Sequence, residues 1–290
     1  MASLTFDRVT FSYGPQTSPI LGEVSFCLRK GELVGLFGRN GSGKSTLTHL
    51  AAGLLLPTTG RVEVAGIDTT ARDPEIQRRV GLLFQDADRQ IVGVTVEEDL
   101  AFGPENLGME PGEMRARVPE VAGRLGLGEY LRRPVVELSG GMRQKLALGG
   151  VLIMDPDFLI LDEPTSQLDP WARRDFWEIL MEMRAERDLG ILVVSPQAAD
   201  AERLERAMVL HGGRLVYDGG EGGLWRHPAI GEWGIRLPES VRWRTGIGGQ
   251  SRADDGSGGG RREDGGPGTA GLPAGWPGAP PGAPPGRVVG

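Results

Sequence analysis

Three clusters in this chain have the residue types and spacing to handle a polyphosphate. The first is Gly38-Arg39-Asn40-Gly41-Ser42-Gly43-Lys44-Ser45-Thr46, which fits G-x-x-x-x-G-K-[ST] from Gly38 to Ser45. Glycines at 38, 41 and 43 let the backbone curl until successive N–H groups point at phosphate oxygens. Lys44 would set a compact positive charge on the β- and γ-phosphates, and Ser45 would offer its hydroxyl to Mg²⁺. The second cluster is Asp162-Glu163, where the apolar run Phe158–Leu161 ends in two carboxylates. Asp162 is placed to hold Mg²⁺ through its water shell. Glu163 is placed to polarise an attacking water, a general-base role worth about 10²–10⁴ in rate. The third is Leu138-Ser139-Gly140-Gly141-Met142-Arg143-Gln144. A hydroxyl and two glycines at a helix start form another anion cradle, too far along the chain to belong to the first. Singly, these clusters read as a glycine-rich turn, a solvated acidic turn and a helix cap. Together they favour nucleotide chemistry, the more so because Lys30, Lys44 and Lys145 are the chain's only lysines.

The elements that position these clusters are legible in hydrophobic periodicity. Residues 4–13, 24–28, 33–37 and 80–84 read as strands, with 80–84 ending at Gln85. Leu47, Leu50, Ala51, Leu54 and Leu55 follow helical spacing, which predicts a helix over 45–56 stopped by Pro57. The strand before Gly38 and the helix after it are the context a phosphate loop requires. Thr95-Val96-Glu97-Glu98 reads as a capping box opening a mainly helical stretch to about residue 137. Leu159–Leu161 and Ile191–Val194 are continuous apolar runs suited to strands buried on both faces. Residues 169–186 between them are helical, with Pro170 in the first turn. This alternation predicts a largely parallel sheet covered by helices.

The bulk numbers narrow the function classes. Of 290 residues with a formal net charge of -7, too few are basic for sequence-independent nucleic-acid binding. One cysteine, Cys27, excludes an internal disulfide and is expected to pack as a small apolar residue. His49, His211 and His227 have no spaced partners and read as structural. The N-terminal stretch lacks the basic start and apolar run of an export signal, and no run reaches the roughly 18 apolar residues of a membrane span. Any service to a membrane is therefore expected from its surface. Residues 246–290 are dominated by glycine and proline and are expected to be a disordered tail.

In the order phosphate loop, Gln85, LSGG, Asp-Glu, the chain resembles the ATP-binding cassette (ABC) ATPases. The resemblance implies an α/β P-loop NTPase fold: a RecA-like core (about 1–85 and 150–220) with an N-terminal antiparallel β subdomain, a helical insert (about 86–149) and a C-terminal extension (about 221–245). It implies ATP and Mg²⁺ as ligands, with residues 38–46 binding ATP and Tyr13 stacking on adenine. Ser45, Gln85 and Asp162 would face the Mg²⁺, and Glu163 and Gln85 would be catalytic. Ser139, Gly140, Gly141 and Met142 would close on the ATP of a second ATPase subunit. Ser166-Gln167-Leu168-Asp169 would link the two sites, with Asp169 the matching acid and Gln167 larger than expected there. Within the class, Phe84–Ile91, Thr95–Asp99, Ala101–Gly108 and Gly234-Ile235-Arg236-Leu237-Pro238 are similar to the ATPase subunits of energy-coupling factor (ECF) transporters. That implies a peripheral protein on the cytoplasmic face of the membrane, energising uptake of a vitamin or transition-metal ion. Its partners would be a transmembrane coupling subunit and a substrate-capture subunit. Asp86, Asp88, Glu97, Glu98 and Asp99 then have two readings: a well-capped helix start, or acceptors for arginines of the membrane subunit.

One position departs from the pattern. After the strand 191–194 the family places a histidine that touches the γ-phosphate, and here Pro196 stands there. Proline has neither a side-chain donor nor a backbone N–H. This favours a heterodimer in which a related ATPase performs most of the hydrolysis. It also leaves open a mainly regulatory subunit. The ATPase of a conventional ABC transporter, and a soluble cassette ATPase acting on DNA or ribosomes, are further readings. Those acting on DNA usually carry a long coiled-coil insertion and those acting on ribosomes two cassettes in one chain, and neither feature is seen in this sequence.

Overall fold

In the computed structural model the described residues are 2–195 and 203–235. Pro196, the residues Arg236-Leu237-Pro238 and the tail 246–290 lie outside them. A four-stranded antiparallel sheet runs β2-β1-β4-β5, from β1 (Ser3–Phe11), β2 (Leu21–Arg29), β4 (Thr59–Val64) and β5 (Ile67–Asp68). A six-stranded sheet has the order β10-β9-β3-β8-β7-β6. It is built from β3 (Leu33–Phe37), β6 (Val80–Leu83), β7 (Phe158–Asp162), β8 (Gly190–Val194), β9 (Arg206–His211) and β10 (Arg214–Gly220). All its pairings are parallel except β9 with β10.

Period-two alternation divides the central strands between two cores. In β7, Phe158 and Ile160 join the core shared with the antiparallel sheet, while Leu159 and Leu161 join the core on the other face. Ile191 and Val193 of β8 point with the latter pair, and Leu192 and Val194 with the former. Both faces are therefore covered, which is why these strands read as unbroken apolar runs. Helix α1 (Lys44–Ala51) buries Leu47, Leu50 and Ala51 in the core between the two sheets. It is shorter than its periodicity predicts. Gly53 at φ 69° turns the chain, and the N–H groups of Leu54 and Leu55 return to the His49 carbonyl, ending the helix well before Pro57. Cys27 is half-buried on the outer face of β2, where it accepts a hydrogen bond from Thr5 Oγ1, so it does not join the core as expected.

The short α2 (Glu75–Arg79) precedes β6, and Arg79 with Lys30 holds Asp157 at the start of β7 (2.8 and 2.6 Å). Helices α3 (Val96–Asn106), α4 (Pro111–Arg124) and α5 (Gly140–Leu152) pack on the opposite core, joined by α6 (Pro170–Arg187) and α7 (Glu221–Trp225). Thr95 and Glu98 form the expected capping box of α3. Four of the five acids near this helix start are engaged within the chain. Asp86 accepts from the Asp88 N–H, Asp88 pairs with Arg143, Glu98 closes the capping box, and Asp99 is buried. Glu97 is exposed.

Asp99 Oδ1 accepts from the N–H groups of both Val92 and Gly93, and a Cβ on Gly93 would lie 2.3 Å from the Asp99 nitrogen. Burial raises the Asp99 pKa against those two hydrogen bonds. Its stabilising contribution is thus complete below the unfolded pKa and declines as pH rises through the folded one. Asp99→Ala should cost about 1–3 kcal/mol by orphaning the two donors. Asp99→Asn keeps an acceptor without a buried charge, should cost less than about 1 kcal/mol, and should remove that pH-dependent decline in urea unfolding.

Candidate functional site

The turn between β3 and α1 has the geometry of an anion cradle. Gly38, Gly41 and Gly43 have φ values of 153°, 78° and 103°, conformations that side-chain-bearing residues rarely adopt. The starts of α3, α5 and α6 are capped by the side chains of Thr95, Ser139 and Asp169; α2, α4 and α7 have no side-chain cap, nor does α1, which opens at Lys44 after its N-cap Gly43. Its first-turn N–H groups are left for another acceptor, and the helix dipole favours an anion there. Ser42 Oγ is buried without a hydrogen-bond partner. Lys44 is buried, and its ammonium donates back to the carbonyls of Gly38 (2.9 Å) and Arg39 (3.1 Å). The turn thus folds its own cation into the place a phosphate group fits. Arg39 and Asn40 are exposed, and with Phe37, Gly38, Ser195, Gly234 and Ile235 they line a cavity of about 530 Å³ beside it.

The parallel register carries Asp162 and Glu163 to the same end of the sheet. Burial raises the Asp162 pKa, opposed by a hydrogen bond with Ser45 and by the charges of Lys44 and His49. Burial and then the Asp162 charge raise that of Glu163, opposed by Lys44. Burial lowers the Lys44 pKa, opposed by Glu163 and Asp162. These three groups therefore share one low-dielectric field. Ser45 beside Asp162 offers one hydroxyl and one carboxylate. No cluster of three or more His, Cys, Asp or Glu side chains able to hold a metal occurs among the described residues. That donor set fits Mg²⁺, which takes one or two protein oxygens together with substrate phosphates rather than an all-protein cage.

Two features here were not legible in the sequence. Glu163 has φ 49°, a left-handed conformation costly for a side-chain-bearing residue. It is held by its N–H to the Val194 carbonyl (2.8 Å), while its own carbonyl accepts from Ser166 Oγ (3.0 Å). Gln85, just past β6, donates to Glu163 Oε2 at 3.0 Å. Its position is braced by Gln90, which bonds the Phe84 N–H and the Leu82 carbonyl. Sequence spacing gives no sign of such a side-chain bridge.

The remaining site candidates lie apart from this group or on its margin. Tyr13 lies beyond the end of β1, mostly exposed, its hydroxyl 3.2 Å from Thr46 Oγ1 and its ring edge-on to Phe11. Ser139 caps α5 by accepting from the Met142 N–H, Gly140 has open space around it, and Gly141 packs on Ala172. Asp169 caps α6 through the N–H groups of Trp171 and Ala172.

A family model described as ABC transporter matches residues 21–166. The chain belongs to the ABC transporter ATPase family. It is an ATP-binding, ATP-hydrolysing member of the transport-coupled class. It is 42% identical over 210 residues to the cobalt import ATP-binding protein CbiO of Syntrophus aciditrophicus, covering 72% of this chain and 75% of that protein. It is 37% identical over 238 residues to the energy-coupling factor transporter ATP-binding protein EcfA1 of Enterococcus faecalis, covering 81% of this ATPase and 85% of that one. Among solved structures, CbiO1 from Clostridium perfringens, described as part of the ABC transporter complex CbiONQ, superimposes with a TM-score of 0.71. That match has 27% identity and covers 83% of this chain and 98% of the other. The expected resemblance and fold class are therefore borne out. No helix among the described residues is long and apolar enough to cross a membrane.

The cradle's tolerance for a side chain can be tested directly. A Cβ on Gly38 would lie 2.3 Å from the Leu210 carbonyl oxygen and 2.7 Å from Ser42 Oγ. Gly38→Ala should destabilise the ATPase by more than about 1 kcal/mol and abolish ATP binding, read by thermal unfolding with and without nucleotide.

Proposed function

We propose that this ATPase energises an ECF-type importer for a micronutrient, a vitamin or a transition-metal ion, from the cytoplasmic face of the membrane. The observation that carries the reading is the convergence of an uncapped, lysine-bearing helix start on Ser45, Asp162, Glu163 and Gln85. The names of the relatives, cobalt import and energy-coupling factor ATP-binding proteins, support the transport class.

In this reading Gly38–Thr46 wraps the phosphates, and Lys44 turns from the Gly38 and Arg39 carbonyls to the β- and γ-phosphates. Tyr13 stacks on adenine. Ser45 and Asp162, with Gln85, would hold Mg²⁺, which would supply positive charge to offset that of the phosphates. Glu163 accepts a hydrogen bond from the attacking water, whose oxygen bonds the γ-phosphorus as the bond to the β–γ bridging oxygen breaks. The raised Glu163 pKa suits it to draw that proton. Catalysis of this type is mainly positioning and charge neutralisation. Ser139, Gly140, Gly141 and Met142 close on the ATP of a second ATPase subunit, with Asp169 linking the two sites. A transmembrane coupling subunit and a substrate-capture subunit complete the assembly. Four of the five acids near α3 are internally engaged, which favours the helix-cap reading for them over arginine docking.

Pro196 favours a heterodimer, and with it the second reading of a mainly regulatory subunit. Loss of one preorganised donor typically costs about 2.7–4 kcal/mol, or 10²–10³ in rate. The test is to purify the native complex from membranes, identify its subunits, and compare its ATPase with that of the isolated chain. The complex should contain a polytopic membrane protein and a related ATPase, and the isolated chain should be much slower. Pro196→His should raise the rate at this chain's own site. Equal rates for isolated chain and complex would contradict the heterodimer, and a complex without membrane subunits would contradict the transport role.

A further inference from the structure

We propose that Arg143 is a positioning residue that ties the segment carrying Gln85 to the turn carrying Ser139, so that one subunit's two half-sites move together. This rests on the reading above, in which Gln85 serves the subunit's own ATP and Ser139 serves its partner's.

The Arg143 guanidinium makes two contacts in different directions. Its Nε donates to Asp88 Oδ1 at 2.6 Å, and its Nη1 donates to the Leu138 carbonyl at 2.6 Å. Leu138 immediately precedes Ser139, the N-cap of α5. Asp88 lies in the 3-10 turn Ala87–Arg89, whose N-cap, Asp86, directly follows Gln85. The Asp86 carboxylate fixes that turn by accepting from the Asp88 N–H at 3.1 Å, and Gln85 reaches Glu163 at 3.0 Å. A continuous polar path therefore runs from the carboxylate that faces this subunit's phosphate cradle to the hydroxyl that would face its partner's. Arginine suits the junction because its planar fork can serve a carboxylate and a carbonyl at once, which a lysine ammonium on a flexible stem does less well.

Folding stability is a poor account of the arrangement. Asp88 is largely exposed, and exposed ion pairs contribute little to stability. The Ser139 cap already fixes the start of α5 without help from Arg143. What the guanidinium adds is a fixed distance between two loops that approach different nucleotides. When Gln85 shifts on nucleotide binding, Asp88 moves with it, and Arg143 carries that displacement to the Leu138–Ser139 peptide.

The test is ATPase activity against ATP concentration in the native membrane complex carrying Arg143→Ala, Arg143→Lys, Asp88→Asn or Asp88→Asn/Arg143→Ala. ATP affinity of each isolated chain is followed with a fluorescent nucleotide. Each single variant should bind ATP within twofold of the wild type while the complex loses kcat by roughly 3- to 30-fold, the range expected for a coupling contact. The Hill coefficient for ATP should fall towards 1, Arg143→Lys should not rescue, and the double variant should be no worse than either single one. Unchanged kcat and Hill coefficient would overturn the proposal. So would losses that multiply in the double variant, or a fall in kcat matched by a fall in the nucleotide-binding fraction. Loss of the membrane subunit from Asp88→Asn complexes would instead make Asp88 a docking acid and also overturn it. Lys44→Ala is the control for the underlying reading. It should abolish nucleotide binding to the isolated chain, and an isolated chain that still binds the fluorescent nucleotide after that change overturns both readings.

Discussion

The phosphate site depends on the start of helix α1, which has no side-chain cap and carries Lys44 in its first turn. Helix α1 is pinned between two sheets by Leu47, Leu50 and Ala51, so its N-terminus cannot retreat into solvent or fray away. A Cβ on Gly43 would lie 2.7 Å from Leu21 Cδ2, so the antiparallel sheet presses on the same point from the outside. First-turn N–H groups, a helix dipole and a buried ammonium are thereby held together at one point, with the charges of Asp162 and Glu163 nearby. The hydrogen bonds of the Lys44 ammonium go to neutral carbonyls of its own turn, while the Asp162 and Glu163 charges act on it without a direct bond among the described contacts. Carbonyl acceptors of this kind can be exchanged for a phosphate group supplied from outside.

The parallel sheet sets the second constraint. Because β7 lies in register beside β8 and β6, its C-terminal carboxylates emerge beside the loop that follows β3 and the residue that follows β6. Burial pushes both carboxyl groups towards the neutral form while Lys44 pulls them back. The three charges are thus mutually dependent, and a change in any one alters the proton affinity of the others. The strained Glu163 backbone belongs to the same picture. A left-handed turn there re-aims the side chain out of the strand direction, and it is held by the Glu163 N–H donating to the Val194 carbonyl and by Ser166 Oγ donating to the Glu163 carbonyl.

Much of this was legible in the sequence where local rules and global fold agree. The Gly38–Ser45 turn, the Thr95–Glu98 capping box, the Asp169-Pro170 helix start and the doubly buried strands each follow from residue type and spacing. The extent of α1 was misjudged because Leu54 and Leu55 continue the apolar period beyond the turn that Gly53 imposes. Cys27 departs from the inward packing its residue type suggests because Phe26 and Leu28 take the buried face of β2 and the alternation turns Cys27 the other way. Long-range polar bridges, such as Gln85 to Glu163 and Arg143 to Asp88, were invisible for a different reason. They join side chains from distant segments, and nothing in the local sequence records which partner a carboxylate or guanidinium will meet.

The account stands or falls on whether the uncapped helix start binds the terminal phosphates of a nucleotide. Calorimetric titration of the purified chain with ATP, ADP and AMP in the presence of Mg²⁺ measures this most directly. Affinity should fall steeply from ATP to ADP and become negligible for AMP, since the cradle engages the β- and γ-phosphates and not the nucleoside. AMP binding as tightly as ATP, or no binding of ATP, would contradict it.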